Sequence, residues 1–201
     1  GAPPEELFDT FSREPFAAAS LGQVHRATRR GKDLVVKVQR LGLRELFAVD
    51  LANLRTLVRV LDALDKSDDG TKRDWTAIYD QSAKLLYKEI DYEAEAQNGL
   101  RFRDNFRNRP WIKVPDFYED LTTKRVVTME YVPGIKISDV DEIEAAGIDR
   151  RVLSRHSAEA YLEQLCRHGF FHCDPHPGNM ACDPKEGGRL IYYDFGMMDV
   201  I

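Results

Sequence analysis

No stretch of this sequence approaches the roughly 20 consecutive apolar residues that a bilayer-crossing helix needs, so a spanning segment is not expected within it. Cysteine is scarce too. Cys166, Cys173 and Cys182 are the only three in 201 residues, and an odd, thin supply argues against a disulfide framework and for a reducing compartment. Excess positive charge is missing: the formal net charge is −5, so a basic face for nucleic acid is not expected. No internal repeat or low-complexity tract is visible. What remains, 43% hydrophobic and 31% charged, suits a globular chain with a real core, in one domain or one domain of two lobes.

Residues 16 to 40 read as strand, turn, strand. Val24-His25-Arg26-Ala27 precedes a polar turn at Arg30-Gly31, and the β-branched run Leu34-Val35-Val36-Lys37-Val38 follows. Phe47, Leu51, Leu54, Val58 and Leu61 recur at helical spacing and predict an amphipathic helix over 43–64. Lys66 to Gly70 reads as a charged loop ending it. A second helix is expected from Trp75 toward Leu100, with a break along the way. Val126 to Val132 is a buried-strand pattern closed by Pro133-Gly134. Ser138 with Asp141 reads as a cap for a short helix, and Leu153, Tyr161, Leu162 and Leu165 as a longer helix ending near Gly169. Residues 170 to 182 read as a loop, and 190–193 as a strand. After Gly196 too few residues remain for another element to be expected, and the chain reads as part of a longer polypeptide.

The chemistry concentrates near the C-terminal end. His172-Cys173-Asp174-Pro175-His176-Pro177-Gly178-Asn179 sets an Asp and an Asn five positions apart, and Asp194-Phe195-Gly196 follows a strand. Phosphoryl transfer needs a carboxylate near the attacking group and oxygen ligands that hold a divalent metal against phosphates. Asp174 suits the first need, Asn179 and Asp194 the second, and the ordered H-x-D-x-x-x-x-N plus D-F-G set is the kinase signature. The competing readings are ordinary polar loop residues, or a zinc site from His172, Cys173, His176 and Cys182. Lys37, inside an apolar strand, either contacts nucleotide phosphates and pairs with a helix glutamate, or is an edge-strand lysine reaching solvent. The acidic run Glu89, Asp91, Glu93 and Glu95 would ordinarily be a solvated helix face.

Taken together these segments resemble the UbiB-type atypical kinases, which have mitochondrial, plastid and bacterial members. Ala17-Ala18-Ala19-Ser20-Leu21-Gly22 resembles the family's alanine-rich loop, Val35-Val36-Lys37-Val38 its nucleotide-lysine strand, and Glu89-Ile90-Asp91 its E-x-D segment. The resemblance runs from about Phe16 to Gly196. It implies an α+β, protein-kinase-like fold. Residues 1–132 would form an N-lobe sheet with the alanine-rich loop and a helical insertion. Residues 133–201 would form the start of a truncated, mainly helical C-lobe carrying the catalytic loop.

The resemblance also assigns roles. Asp174, Lys37 and Glu95 are implied as catalytic, Glu95 pairing with Lys37. Ala17, Ala18, Ala19, Ser20, Lys37, Met129, Glu130 and Val132 are implied to bind nucleotide, Met129 as gatekeeper and Glu130, Tyr131 and Val132 as the hinge. Asn179 and Asp194 are implied to hold Mg2+, and Glu89 with Asp91 to form a family acidic element. The alanine side chains are expected to restrict the backbone where a glycine-rich loop would move freely and adopt positive φ.

The implied function is an ATP- or ADP-binding kinase or ATPase that supports ubiquinone, plastoquinone or tocopherol metabolism. Prenylquinone-related lipids or biosynthetic enzymes are its implied partners, with peripheral membrane contact and no nucleic acid. A pseudokinase scaffold and a small-molecule kinase are the alternatives. Val132 to Ile137 and Gly169 to Cys173 resemble plastid and cyanobacterial members, which implies a chloroplast, plastoglobule or thylakoid location. Mitochondrion and bacterial cytoplasm are the alternatives.

Overall fold

The computed structural model describes residues 2–19, 21–64 and 74–201. The charged loop expected at Lys66 to Gly70 and the site residue Ser20 lie outside them. The chain opens with a short helix α1 (Pro4–Leu7) and strands β1 (Thr10–Phe11), β2 (Ala17–Ala19), β3 (Gly22–Arg29) and β4 (Lys32–Gln39). The β3–β4 hairpin closes through Arg30 and Gly31, both at positive φ (53° and 72°). That two-residue turn matches the twist of its strands, and glycine takes its second position without strain. The three alanines are thus part of a strand rather than a loop, with Ala17 opposite Val24 and Ala19 opposite Gly22.

Helix α2 (Leu43–Leu64) follows, then α3 (Trp75–Glu89) and α4 (Tyr92–Asn105). α2 and α3 pack as a pair, with the Tyr79 hydroxyl donating to the Leu51 carbonyl at 2.9 Å. Leu51 and Val58 of the expected apolar stripe are buried, but Leu54 and Leu61 stay exposed, so the stripe is only half used. The expected break between the next two helices falls at Ile90-Asp91. There the Asp91 carboxylate accepts from the Ala94 N–H at 3.1 Å and caps α4.

Strands β5 (Ile112–Lys113), β6 (Val126–Glu130) and β7 (Ile135–Lys136) lead to helices α5 (Val140–Ala145) and α6 (Arg150–Glu163). Asp139, not Ser138, caps α5 by accepting from the Glu142 N–H. α6 widens into a π-turn at Gln164–His168 and ends at Gly169. β8 (Phe170–His172), β9 (Met180–Asp183), β10 (Arg189–Tyr192) and β11 (Met198–Val200) complete the order. Two departures from expectation stand here. The 170–182 segment is flanked by strands, and the residues after Gly196 do form an element, β11, paired antiparallel to β8.

β1, β3, β4 and β6 form the first sheet, with β2 alongside β1 on the outer edge of β3. A second sheet runs β5-β10-β9-β7. The main core cluster joins Tyr92, Ala96 and Phe102 of α4 to Val127 and Met129 of β6, to Phe170, Met180, Leu190 and Tyr192, and to Phe195. Phe102 and Phe195 are fully buried, their ring centroids 5.3 Å apart. Each such side chain contributes on the order of 1.5–3 kcal/mol. The core therefore clamps the Asp194-Phe195-Gly196 segment onto α4.

Candidate active site

Period-two alternation places Lys37. Leu34 and Val36 of β4 bury into a small cluster with Ala27 and Leu121, which turns Val35 and Lys37 to the opposite face. β4 lies between β3 and β6, so Lys37 is not on an edge. Its Nζ donates to Glu95 Oε1 and Oε2 at 2.9 and 3.0 Å and to Asp194 Oδ2 at 3.1 Å. Glu95 reaches it because the Asp91 cap fixes where α4 begins, one turn earlier. Of the acidic run read as a solvated face, Glu95 is 1% exposed.

The second half of the site hangs on His172. Its Nδ1 accepts from the Asp174 N–H at 3.1 Å, so its Nε2 carries the hydrogen and donates to the Asp194 carbonyl at 3.0 Å. One neutral imidazole thus ties the catalytic-loop segment to the D-F-G segment. Gln164, in the π-turn, accepts from the His172 N–H at 2.9 Å, and the Cys173 N–H donates to the Met197 carbonyl at 2.8 Å. Asp194 Oδ1 accepts from the Gly196 N–H at 2.9 Å. Asn98 of α4 donates to the Phe195 carbonyl at 2.9 Å.

Charge and burial oppose each other throughout. Burial disfavours the Lys37 ammonium, but the carboxylates of Glu95 and Asp194 more than offset it and raise its pKa above the ordinary lysine value. Burial pushes the Glu95 carboxyl up to about 7 despite the ammonium. Burial acts the same way on Asp194, yet there Lys37 and the Gly196 N–H prevail and its pKa is lowered. Glu89 is raised by burial and then by the charge of Asp194. Burial lowers the pKa of His172.

These groups open onto one cleft of about 450 Å³. Ala17, Ala18, Ala19, Lys37, Glu89, Glu95, Met129, Tyr131, Val132, Asp174, Asn179 and Asp194 all line it. Two expected site residues do not. The Glu130 carboxylate turns away to pair with Lys113 and accept from the Asp116 N–H. The Asp91 carboxylate is occupied as a helix cap. The backbone at the three alanines agrees with the restriction expected of their Cβ atoms. The alanines are in extended strand, and none of the three has positive φ. A wider hollow of about 1410 Å³ between α5, α6 and β10 touches His172 but holds none of Lys37, Glu95 or Asp194.

The zinc reading fails: among the described residues no group of three or more His, Cys, Asp or Glu could hold a metal ion. Cys182 is buried in β9 and all three thiols are free.

The model of the ABC1 atypical kinase-like domain matches residues 1–201. The chain belongs to the ABC1 atypical kinase-like family. This is the UbiB-type family that the sequence resembles, and the fold is kinase-like. The protein ACTIVITY OF BC1 COMPLEX KINASE 8, chloroplastic, of Arabidopsis thaliana is 55% identical over 201 residues, covering 100% of this chain and 26% of the relative. ACTIVITY OF BC1 COMPLEX KINASE 7, chloroplastic, from the same plant is 48% identical over 202 residues, covering 100% and 28%. This ABC1-family chain therefore spans between a quarter and a third of those relatives. Among solved structures, the complex of Rv3197 with erythromycin from Mycobacterium tuberculosis superposes with a TM-score of 0.80 at 30% identity. It covers 100% of this chain and 49% of that one.

Sequence reasoning missed three supporting residues. Tyr92 lines the cleft three positions before Glu95, and Asn98 follows three after it; i, i+3 spacing from Glu95 would have pointed to both. His172 belongs to the H-x-D-x-x-x-x-N signature read in the sequence, but its bridging role between the Asp174 N–H and the Asp194 carbonyl was not foreseen.

Proposed function

We propose that this chain binds ATP or ADP with Mg2+ in the cleft and is the nucleotide-handling part of an atypical kinase or ATPase. We further propose that it serves prenylquinone metabolism, of the ubiquinone, plastoquinone or tocopherol class, in a plastid. The observation that carries the reading is the Lys37 ammonium held between Glu95 and Asp194, in the same cleft as Asp174 and Asn179. In this reading Lys37 draws in the phosphates, Glu95 fixes its position, and Asp174 accepts the proton of an attacking hydroxyl or water.

The donor set fits magnesium. Asp194 and Asn179 offer hard oxygens, and Mg2+ is ordinarily held by one or two carboxylates plus substrate phosphates rather than by an all-protein cage. When bound, the ion would neutralise phosphate charge. The plastid location rests on the two relatives named chloroplastic. Peripheral contact with a membrane surface, where lipid-derived partners would be met, is part of the same proposal; no helix among the described residues is long and apolar enough to cross a membrane.

The test is magnesium-dependent nucleotide binding and phosphate release by the full-length protein, with and without quinone-like lipids, and Asp194→Asn as control. Binding and release lost together in Asp194→Asn support the reading; release that is indifferent to Asp194 refutes it. One observation favours a second reading, a scaffold that binds nucleotide without turnover. Both Asp194 oxygens already have protein partners, Lys37 and the Gly196 N–H. Tight binding with no phosphate release under any lipid condition would select it.

A further inference from the structure

Tyr92 is 1% exposed, yet its hydroxyl has no hydrogen-bond partner among the described residues. A buried polar group left unpaired costs about 1–3 kcal/mol, so each one in a native protein calls for an explanation, a role at a site being one. Tyr92 stands where that matters. It lines the cleft, its ring centroid lies 5.0 Å from Lys37 Nζ, and it shares one face of α4 with Glu95. Its hydroxyl lies beneath the start of β3, 3.1 Å from where a Cβ on Gly22 would stand. Gly22 pairs there with Ala19 of the alanine strand, which lines the cleft. Only a hydrogen fits there, because the same Cβ would also lie 2.3 Å from the Val38 carbonyl oxygen.

We propose that Tyr92 is a phosphate-contact residue: its hydroxyl donates to a phosphate oxygen of the nucleotide that Lys37 holds. This rests on the nucleotide reading above and adds a donor to it. The ring packs against the Lys37 ammonium, which keeps Tyr92 beside the lysine that would hold that anion. Burial pushes the Tyr92 pKa up to about 12, so the group is a donor throughout the neutral range.

Tyr92→Phe keeps the ring and removes the donor alone. In calorimetric titrations of full-length protein with Mg-ADP, the variant is expected to bind about tenfold more weakly, the usual worth of one hydrogen bond to a charged group. Adenosine, which has no phosphate, is expected to bind both proteins alike. The melting temperature without nucleotide is expected to hold or rise, because an unpaired hydroxyl has been removed. Equal Mg-ADP affinity in wild type and variant overturns the proposal and leaves the nucleotide reading standing. A lowered melting temperature with undiminished ADP affinity also overturns it, by making the hydroxyl structural. If the wild type binds no nucleotide, both readings fall together.

Discussion

Lys37→Met tests the central pair most directly. The side chains of Lys37 and Glu95 are 15% and 1% exposed, so screening by solvent is slight. At about 3 Å and an effective dielectric near 20, the bare attraction is on the order of 5 kcal/mol. Desolvation offsets part of it, and removing one partner of a buried pair usually costs about 3–5 kcal/mol. Here the loss has a ceiling, because Glu95 already titrates at about 7 beside the ammonium and titrates higher without it. The stranded carboxyl then takes up a proton.

The sign follows from linkage. A folded-state pKa above the unfolded value of 4.5 means that stability rises as pH falls through the folded pKa toward 4.5. Between pH 8 and pH 6 the wild type gains about 1.4 kcal/mol from this group. The variant gains up to about 2.7 kcal/mol, at roughly 1.36 kcal/mol per pH unit. The expected penalty for Lys37→Met is thus about 3 kcal/mol at pH 8 and about 1 kcal/mol less at pH 6. Urea unfolding of Lys37→Met, Glu95→Gln and the double variant measures it, with an expected coupling of about 2 kcal/mol. Single-variant losses that add within about 0.5 kcal/mol, or a penalty that does not change with pH, would refute the reasoning.

Three further outcomes follow from the site. Because burial depresses the His172 pKa, the fold holds it neutral. Its contribution to stability should decline as pH falls below about 6.5, where the unfolded chain takes up the proton and the fold does not, opposing the rise that Glu95 gives over the same range. His172→Asn should flatten that decline, and nitrogen chemical shifts should show the hydrogen on Nε2. Asp91→Ala should cost about 1 kcal/mol as a lost helix cap while Asp91→Ser costs much less; equal losses would mean that the carboxylate acts otherwise than by capping. Gly22→Ala, whose Cβ would collide with the Val38 carbonyl, should destabilise the protein by about 1–3 kcal/mol in thermal unfolding. A neutral result would place β3 further from β4 than described.

The residues that meet in the cleft were legible because their spacing is local. Asp174, Asn179 and Asp194 sit at fixed offsets within one loop and one strand end, and Lys37 stands out as a charge among β-branched neighbours. What escaped was set by partners distant in sequence. Alanine has little strand preference, and Ala17 to Ala19 are extended because β3 lends them an edge. β11 exists because Met198 to Val200 meet β8, which no window after Gly196 reveals. Ser138 and Asp139 are both good caps. The start at Asp139 goes with burial of Ile143, which depends on tertiary packing. Glu130 is the first residue of the implied hinge, yet Lys113, seventeen residues earlier, decides where its carboxylate points.

The arrangement makes α4 the element on which the site depends. Tyr92, Glu95, the adjacent pair Asn98 and Gly99, and Phe102 recur at three- to four-residue spacing, and so share a face. In order they meet the strand above the cleft, the lysine, the Phe195 carbonyl, the Phe117 ring and the Phe195 ring. A Cβ on Gly99 would stand 2.2 Å from Phe117, so the helix has no slack against the sheet side. A small rotation of α4 would lengthen the Lys37 pair and the Asn98 bond together, because one rigid helix carries both Glu95, which accepts from Lys37, and Asn98, which donates to the Phe195 carbonyl. Lysine placement and Asp194 placement are therefore one variable rather than two. The cap that sets the first residue of α4, Asp91 of the E-x-D segment, is the point in the sequence where that variable is fixed.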